Sequence, residues 1–176
     1  PNAIDLLKIR IEYENSLSSE DYNNLQHKID WRILSSNPNA IELLKNNKDK
    51  IDWYLISLNP NAIDLLKIRI EYENSLSVEN YNNVRNKIDW DLLSKNPNAI
   101  ELLTNNQDKI DWWGLSSNPN AIDLLKKNYD KINWYALSSN PNAINLLKER
   151  IKYEETLTEE DLDELENQIA WYRLAE

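Results

Sequence analysis

Cysteine and methionine are absent from the 176 residues, and glycine and histidine occur once each. Without cysteine there is no disulfide framework and no thiolate site, so the redox compartment stays open. The single glycine, Gly114, removes phosphate-cradling loops and most left-handed turns. No Gly-x-Gly-x-x-Gly, Walker or zinc-ligand spacing occurs. Apolar runs stop at four residues, far below the ~20 that a membrane-crossing helix needs, and no charged-then-apolar leader is seen. A soluble protein without a membrane partner is therefore expected. Positive charge is also scarce, with 20 Lys and Arg against 30 Asp and Glu, a net charge of −10 and a pI near 4.7. Such a field repels phosphate backbones and anionic lipid, so duplex nucleic acid is not an expected ligand. Because the first residue, Pro1, already lies inside a repeat and no methionine is present, we expect the sequence to be part of a longer array.

What is present is a repeat. All six prolines, Pro1, Pro38, Pro60, Pro97, Pro119 and Pro141, sit in one Pro-Asn-Ala-Ile-x-Leu-Leu phrase, spaced by 37, 22, 37, 22 and 22 residues. Regular spacing of this kind marks a tandem array. The repeats run 1–37, 38–59, 60–96, 97–118, 119–140 and 141–176, in the order long, short, long, short, short, long. Residues 1–18 and 60–77 are identical, and 141–176 is a long repeat with one residue missing. The 27 asparagines are assigned the capping and turn duties that glycine does not perform.

In a short repeat, Asn37 caps a helix with Pro38 at its first position, where the missing N–H costs nothing. Ala40, Ile41, Leu43 and Leu44 recur at helical spacing, and Asn46 and Asn47 end the helix. Asp52 then caps a second helix opened by Trp53, with Ile51 and Ile56 as a hydrophobic staple. The staple recurs as Ile29/Leu34, Ile88/Leu93, Ile110/Leu115, Ile132/Leu137 and Ile169/Leu174, flanking Asp30, Asp89, Asp111, Asn133 and Ala170. Only Ala170 lacks a capping side chain, a loss of about 1 kcal/mol.

The long repeats insert fifteen residues between these helices (37 against 22). Ile4, Leu7 and Ile11 extend the first helix; residues 8–13 also alternate like a strand, but Glu149 breaks that alternation in the third copy. Ser18, Ser77 and Thr158 each cap an extra helix, with Asp21 and Asp161 completing capping boxes. Tyr22, Leu25 and Ile29 are expected to form its core side.

Two short helices cannot bury their apolar faces alone, so neighbouring repeats must stack. The expected fold is an all-α tandem-repeat solenoid of short helix pairs, spanning 1–176 as one domain, with an extra helix in each of three longer repeats. The phrase Lys-Ile-Asp-Trp-x-x-(Leu/Ile)-Ser-x-Asn-Pro-Asn-Ala-Ile-x-Leu-Leu, at residues 50–66 and 109–125, resembles tandem repeats of uncharacterised giant DNA virus proteins of algae and protists. The resemblance covers the short repeats and both ends of the long ones, but not the fifteen-residue insertions. It implies a viral protein of the virion or infected-cell cytoplasm and carries over no functional residue. A looser, fold-level resemblance is to leucine-rich variant repeats, which also place Asn-Pro at a helix start.

Chemistry has little to work with. His27 is the only histidine, and the corresponding long-repeat positions are read as Asn86 and Gln168. A lone histidine supplies neither a metal-ligand set nor a triad. Asp30, Asp52, Asp89 and Asp111 recur, but each has a local capping task. Catalytic, cofactor-binding and metal residues are therefore all read as none. The tryptophans at 31, 53, 90, 112, 134 and 171 are read as core, the alternative being a ladder that grips an extended peptide. Residues 154–166 carry eight acidic side chains and no basic one, a solvated face or a steering patch for a cationic partner.

The residue after each repeated tryptophan is Tyr54, Trp113, Tyr135 and Tyr172 in four repeats but Arg32 and Asp91 in two. A position that accepts charge faces solvent. These four aromatics either fill gaps between rows or anchor a partner, and they are the candidate protein-binding residues. The function expected is a non-catalytic scaffold for protein–protein interaction, without cofactor. The alternatives are a self-assembling fibre or virion component, and a repeat region attached to an enzyme encoded outside this sequence.

Overall fold

The computed structural model describes residues 3–165 and 167–175, and of these the side chains of all but Asp163 and Ala175. Every regular element among the described residues is helical. The chain divides into two compact units, Pro1–Asp89 and Trp90–Glu176. The first contains α1 (Ala3–Ser16), α2 (Ser19–Asn24), α3 (Trp31–Ser36), α4 (Ile41–Asn46), α5 (Trp53–Ile56), α6 (Ile63–Ser75) and α7 (Val78–Asn83). The second contains α8 (Trp90–Lys95), α9 (Ile100–Thr104), α10 (Trp112–Ser117), α11 (Ile122–Lys127), α12 (Trp134–Leu137), α13 (Ile144–Glu154), α14 (Glu159–Asp163) and a closing 3₁₀ turn, Trp171–Ala175.

Within each unit the tryptophan-led helices of successive repeats pack on one another, α3 on α5 in the first and α8 on α10 on α12 in the second. Tryptophan-led helices also pack on the leucine-bearing helix that follows them, α3 on α4, α8 on α9 and α10 on α11. The paired leucines of the repeat phrase supply the interior: Leu43, Leu44, Leu65 and Leu66 in one unit, Leu102, Leu103, Leu124, Leu125, Leu146 and Leu147 in the other, all buried. Each contributes on the order of 1.5–3 kcal/mol by leaving water.

The second-helix caps form as the residues dictate. Asp52 accepts the Leu55 N–H, Asp111 the Gly114 N–H and Asn133 the Ala136 N–H, while Ala170 contributes no side chain and is followed by a 3₁₀ turn. Helix extension in the long repeats is also as expected, giving α1, α6 and α13. Gly114 serves no left-handed turn, since no described residue has positive φ. Its backbone instead sits where a Cβ would lie 2.7 Å from the Asp111 carboxylate and 3.0 Å from the Asp91 carbonyl.

Three expectations are corrected. Pro38 does not open an α-helix: Pro38–Ala40 is a 3₁₀ turn closed by the Ala40 N–H on the Asn37 carbonyl, and α4 begins at Ile41. The inserted helices α2 and α7 are only six residues long and bury none of their own residues. Leu25 has already turned to extended backbone as the C-cap of α2, so Tyr22, Leu25 and Ile29 are half-buried rather than core. The repeated tryptophans line the edge of the interior, since the first position of a helix leaves one ring face open. Only Trp134 is buried, four are intermediate, and Trp171 is exposed.

Candidate functional site

Tyr54, Trp113, Tyr135 and Tyr172 each occupy the second position of their helix or turn, one residue beyond the tryptophan. That position points away from the leucine interior, and the four side chains are 39–62% exposed. Arg32 and Asp91, their counterparts, are exposed as well. Tyr54 belongs to the first unit and the other three to the second.

In the second unit the edge is organised by cations. Lys95 lies 4.7 Å from the centre of the Trp113 ring. The Tyr135 and Tyr172 hydroxyls are 2.5 Å apart and their rings meet edge to face at 6.3 Å. The Arg173 guanidinium lies over the Tyr135 ring at 4.4 Å and donates to the Ser139 hydroxyl at 2.8 Å. Hydrogen bonds to Tyr172 and Tyr135 raise the Arg173 pKa further above its ordinary value. In the first unit, the Arg32 guanidinium instead approaches the Asp52 carboxylate at 3.4 Å.

The capping carboxylates are occupied by their own helices, as Asp30 shows by accepting both the Arg32 and Ile33 N–H groups. Among the described residues no cluster of three or more His, Asp or Glu is placed to hold a metal ion. Likewise no helix is long and apolar enough to cross a membrane. Of the acidic stretch, Glu154 is buried on Arg150, Asp161 completes a capping box with Thr158, and Glu155, Glu159, Glu160 and Glu164 are exposed. The Asp163 side chain and Glu166 lie outside the described residues.

Two recurring polar arrangements escaped the sequence reading. The first is a ladder between repeats. Asn59 donates to the Ser35 and Asn37 carbonyls at 2.9 and 3.1 Å, while its own oxygen takes the Asn61 N–H at 3.0 Å. Asn118 and Asn140 do the same one and two repeats along the second unit, Asn140 reaching the Ser116 and Asn118 carbonyls at 3.0 and 2.8 Å. A serine row runs beside it: Ser35 accepts the Asp52 N–H, Ser57 that of Asp89, Ser94 that of Asp111, Ser116 that of Asn133 and Ser138 that of Ala170. These asparagines and serines are buried, and every bond crosses to the next repeat of the same unit.

The second arrangement closes the fifteen-residue insertions. Arg10, Arg69 and Arg150 pair with Glu14, Glu73 and Glu154 one turn later at 2.7–2.8 Å, and all three carboxylates are buried. Glu14 also accepts the Ile29 N–H and Glu73 the Ile88 N–H, and the arginines donate to the carbonyls of His27, Asn86 and Asn167. Asn167, not Gln168, is thus the counterpart of His27, the two repeats running in one register from Pro1 and Pro141 through Trp31 and Trp171. Asn86 and Asn167 clip the preceding short repeat, taking the N–H of Trp53 and Trp134 and giving to the carbonyls of Ile51 and Ile132. The signal in the sequence was an Arg-x-x-x-Glu spacing kept in all three long repeats.

Comparison of the chain with protein-family models, with curated proteins and with solved structures returns no match.

Proposed function

We propose that the protein is a non-catalytic repeat scaffold that binds another protein along its exposed aromatic edge. The observation that carries this is the Trp113, Tyr135 and Tyr172 series, in which each ring is solvent-exposed and has a Lys or Arg within 6 Å of its centre. An aromatic flanked by a cation is the side-chain pairing favoured at interface hot spots, since it buries a large rigid surface at low entropic cost and offers a polar contact at its rim. The buried polar groups, by contrast, are occupied in joining repeats and in closing the insertions. In this reading Tyr54, Trp113, Tyr135 and Tyr172 are the anchors, no cofactor is needed, and neither duplex nucleic acid nor membrane is a partner. The resemblance to giant-virus repeats would place the partner in a virion or in infected-cell cytoplasm.

The test is affinity capture with the 176-residue protein beside its Tyr54→Ala/Trp113→Ala/Tyr135→Ala variant, with far-ultraviolet circular dichroism as the folding control. Loss of every specifically retained protein by a folded variant supports the reading. Retention of the same proteins at equal yield rejects this edge.

A further inference from the structure

Four of the repeated tryptophans carry a cation supplied by the repeat that follows. Arg69 lies over Trp53 at 4.9 Å, Lys109 over Trp90 at 5.0 Å, Lys131 over Trp112 at 4.9 Å and Arg150 over Trp134 at 5.0 Å. Lys50 follows Trp31 at the same sequence interval that separates Trp90 from Lys109 and Trp112 from Lys131. It pairs instead with its neighbour Asp49 at 3.6 Å, and among the described residues no cation lies over the Trp31 ring.

That ring lines a pocket of about 430 Å³ between the insertion of the first repeat and Lys50 of the second. Tyr22, the other aromatic wall, already carries Lys28 at 4.8 Å, so Trp31 is the open aromatic surface. The remaining polar walls are rich in acceptors. The Glu14 side chain is only 5% exposed, and it takes both the Arg10 guanidinium and the Ile29 N–H on Oε1. Its Oε2 takes no hydrogen bond among the described residues, none of which leaves an enclosed side-chain oxygen without a partner, so Oε2 is open to a ligand. The side-chain oxygens of Asn15, Ser19 and Asn23 on the same pocket are likewise unbonded. An uncovered indole beside several acceptors suits a group that is cationic, flat and rich in donors. A guanidinium is all of these, with five N–H donors in one plane. The chain itself covers Trp53 and Trp134 with arginine, and its net charge of −10 favours the approach of a cation.

We propose that this pocket receives an arginine side chain of a partner protein. Its guanidinium stacks on Trp31, where other repeats place their own cation, and donates to Glu14 and to the Asn15 and Asn23 amide oxygens. Such a site is independent of the aromatic edge, since none of Tyr54, Trp113, Tyr135 or Tyr172 lines it.

A nuclear magnetic resonance titration of the isotope-labelled protein with Nα-acetyl-arginine amide tests it. The corresponding amides of citrulline, an uncharged isostere, and of lysine are the comparisons. The expected result is a saturable shift of the Trp31 indole N–H and the Tyr22 backbone amide. Arginine amide is expected to bind roughly fivefold more tightly than citrulline amide, the size of one exposed cation–aromatic contact, with lysine amide between them. Trp31→Leu is expected to abolish the Tyr22 shift while keeping the parent circular dichroism. Lys50→Ala, at an exposed position, removes the chain's own cation from the pocket and is expected to bind arginine amide at least as tightly as the parent. Should Trp31→Leu fail to fold, the arginine-to-citrulline ratio and Lys50→Ala decide. No saturable shift, citrulline or lysine binding as tightly as arginine, an undiminished Tyr22 shift in folded Trp31→Leu, or lost binding in Lys50→Ala overturns the proposal.

Discussion

The Asn118 side-chain amide donates to the Ser94 carbonyl at 3.0 Å and to the Asn96 carbonyl at 2.9 Å, both in the preceding repeat. Its own oxygen takes the Asn120 N–H at 3.0 Å, so one buried side chain caps its own turn and ties it to its neighbour. The last carbonyls of a helix have no partner within the helix. In these repeats the next asparagine along satisfies them, and stability is shared between repeats rather than held by each alone.

The serine row predicts a sharp contrast between neighbours. Ser116 is buried and accepts the Asn133 N–H at 2.9 Å, whereas Ser117 donates only to the Gly114 carbonyl of its own helix. Ser116→Ala leaves the half-buried Asn133 N–H without its acceptor and should cost about 1–3 kcal/mol. Ser117→Ala should stay within about 0.5 kcal/mol of the parent. Urea denaturation of the two variants checks both values.

The insertion clamp predicts a larger effect. Glu73 is buried between the Arg69 guanidinium at 2.7 Å and the Ile88 N–H at 3.1 Å. Glu73→Gln leaves Arg69 a mostly buried, uncompensated charge, for a loss of about 3–5 kcal/mol. Glu71→Gln, at an exposed position of the same helix, should change stability by less than about 0.5 kcal/mol. Thermal unfolding of both variants would separate them, and hydrogen exchange in the Glu73 variant should rise first around Ile88.

A capping variant is expected to be milder. Asp111 accepts the Gly114 N–H at 2.7 Å, so Asp111→Ala should lose about 1 kcal/mol. A shift in urea midpoint without a change in slope would show that the fold itself is intact.

How much of this was legible follows from the range of each interaction. The repeat, the helix-opening tryptophans, the Asp52 and Thr158 caps and the long α6 all rest on residues within a few positions of one another. Asn118 was legible only by half. Its oxygen obeys local capping rules, but the carbonyls its amide reaches lie 22 and 24 residues away, where no local pattern points. Glu73 and Glu154 looked like ordinary acids on a charged helix, and their burial depends on where the insertion folds back. The tryptophans were placed too deep, because hydropathy does not register that Lys109 and Lys131 lie over the open faces of Trp90 and Trp112 at 5.0 and 4.9 Å. Of the candidate site, the solvent access of residues 54, 113, 135 and 172 could be read from the charges at 32 and 91. The Arg173 bridge between Tyr135 and Tyr172 could not, since it joins residues 38 positions apart.

The most direct measurement compares Asn118→Asp with Asn37→Asp by chemical denaturation. Both residues precede proline, and both oxygens take the N–H two residues on, at 3.0 and 2.9 Å. Only Asn118 also reaches carbonyls of a preceding repeat, which a carboxylate would repel. Joining of repeats through the asparagine amide predicts a loss of about 3 kcal/mol or more for Asn118→Asp and less than about 1 kcal/mol for Asn37→Asp. Equal losses would show that these asparagines act only within their own turns, and would contradict it.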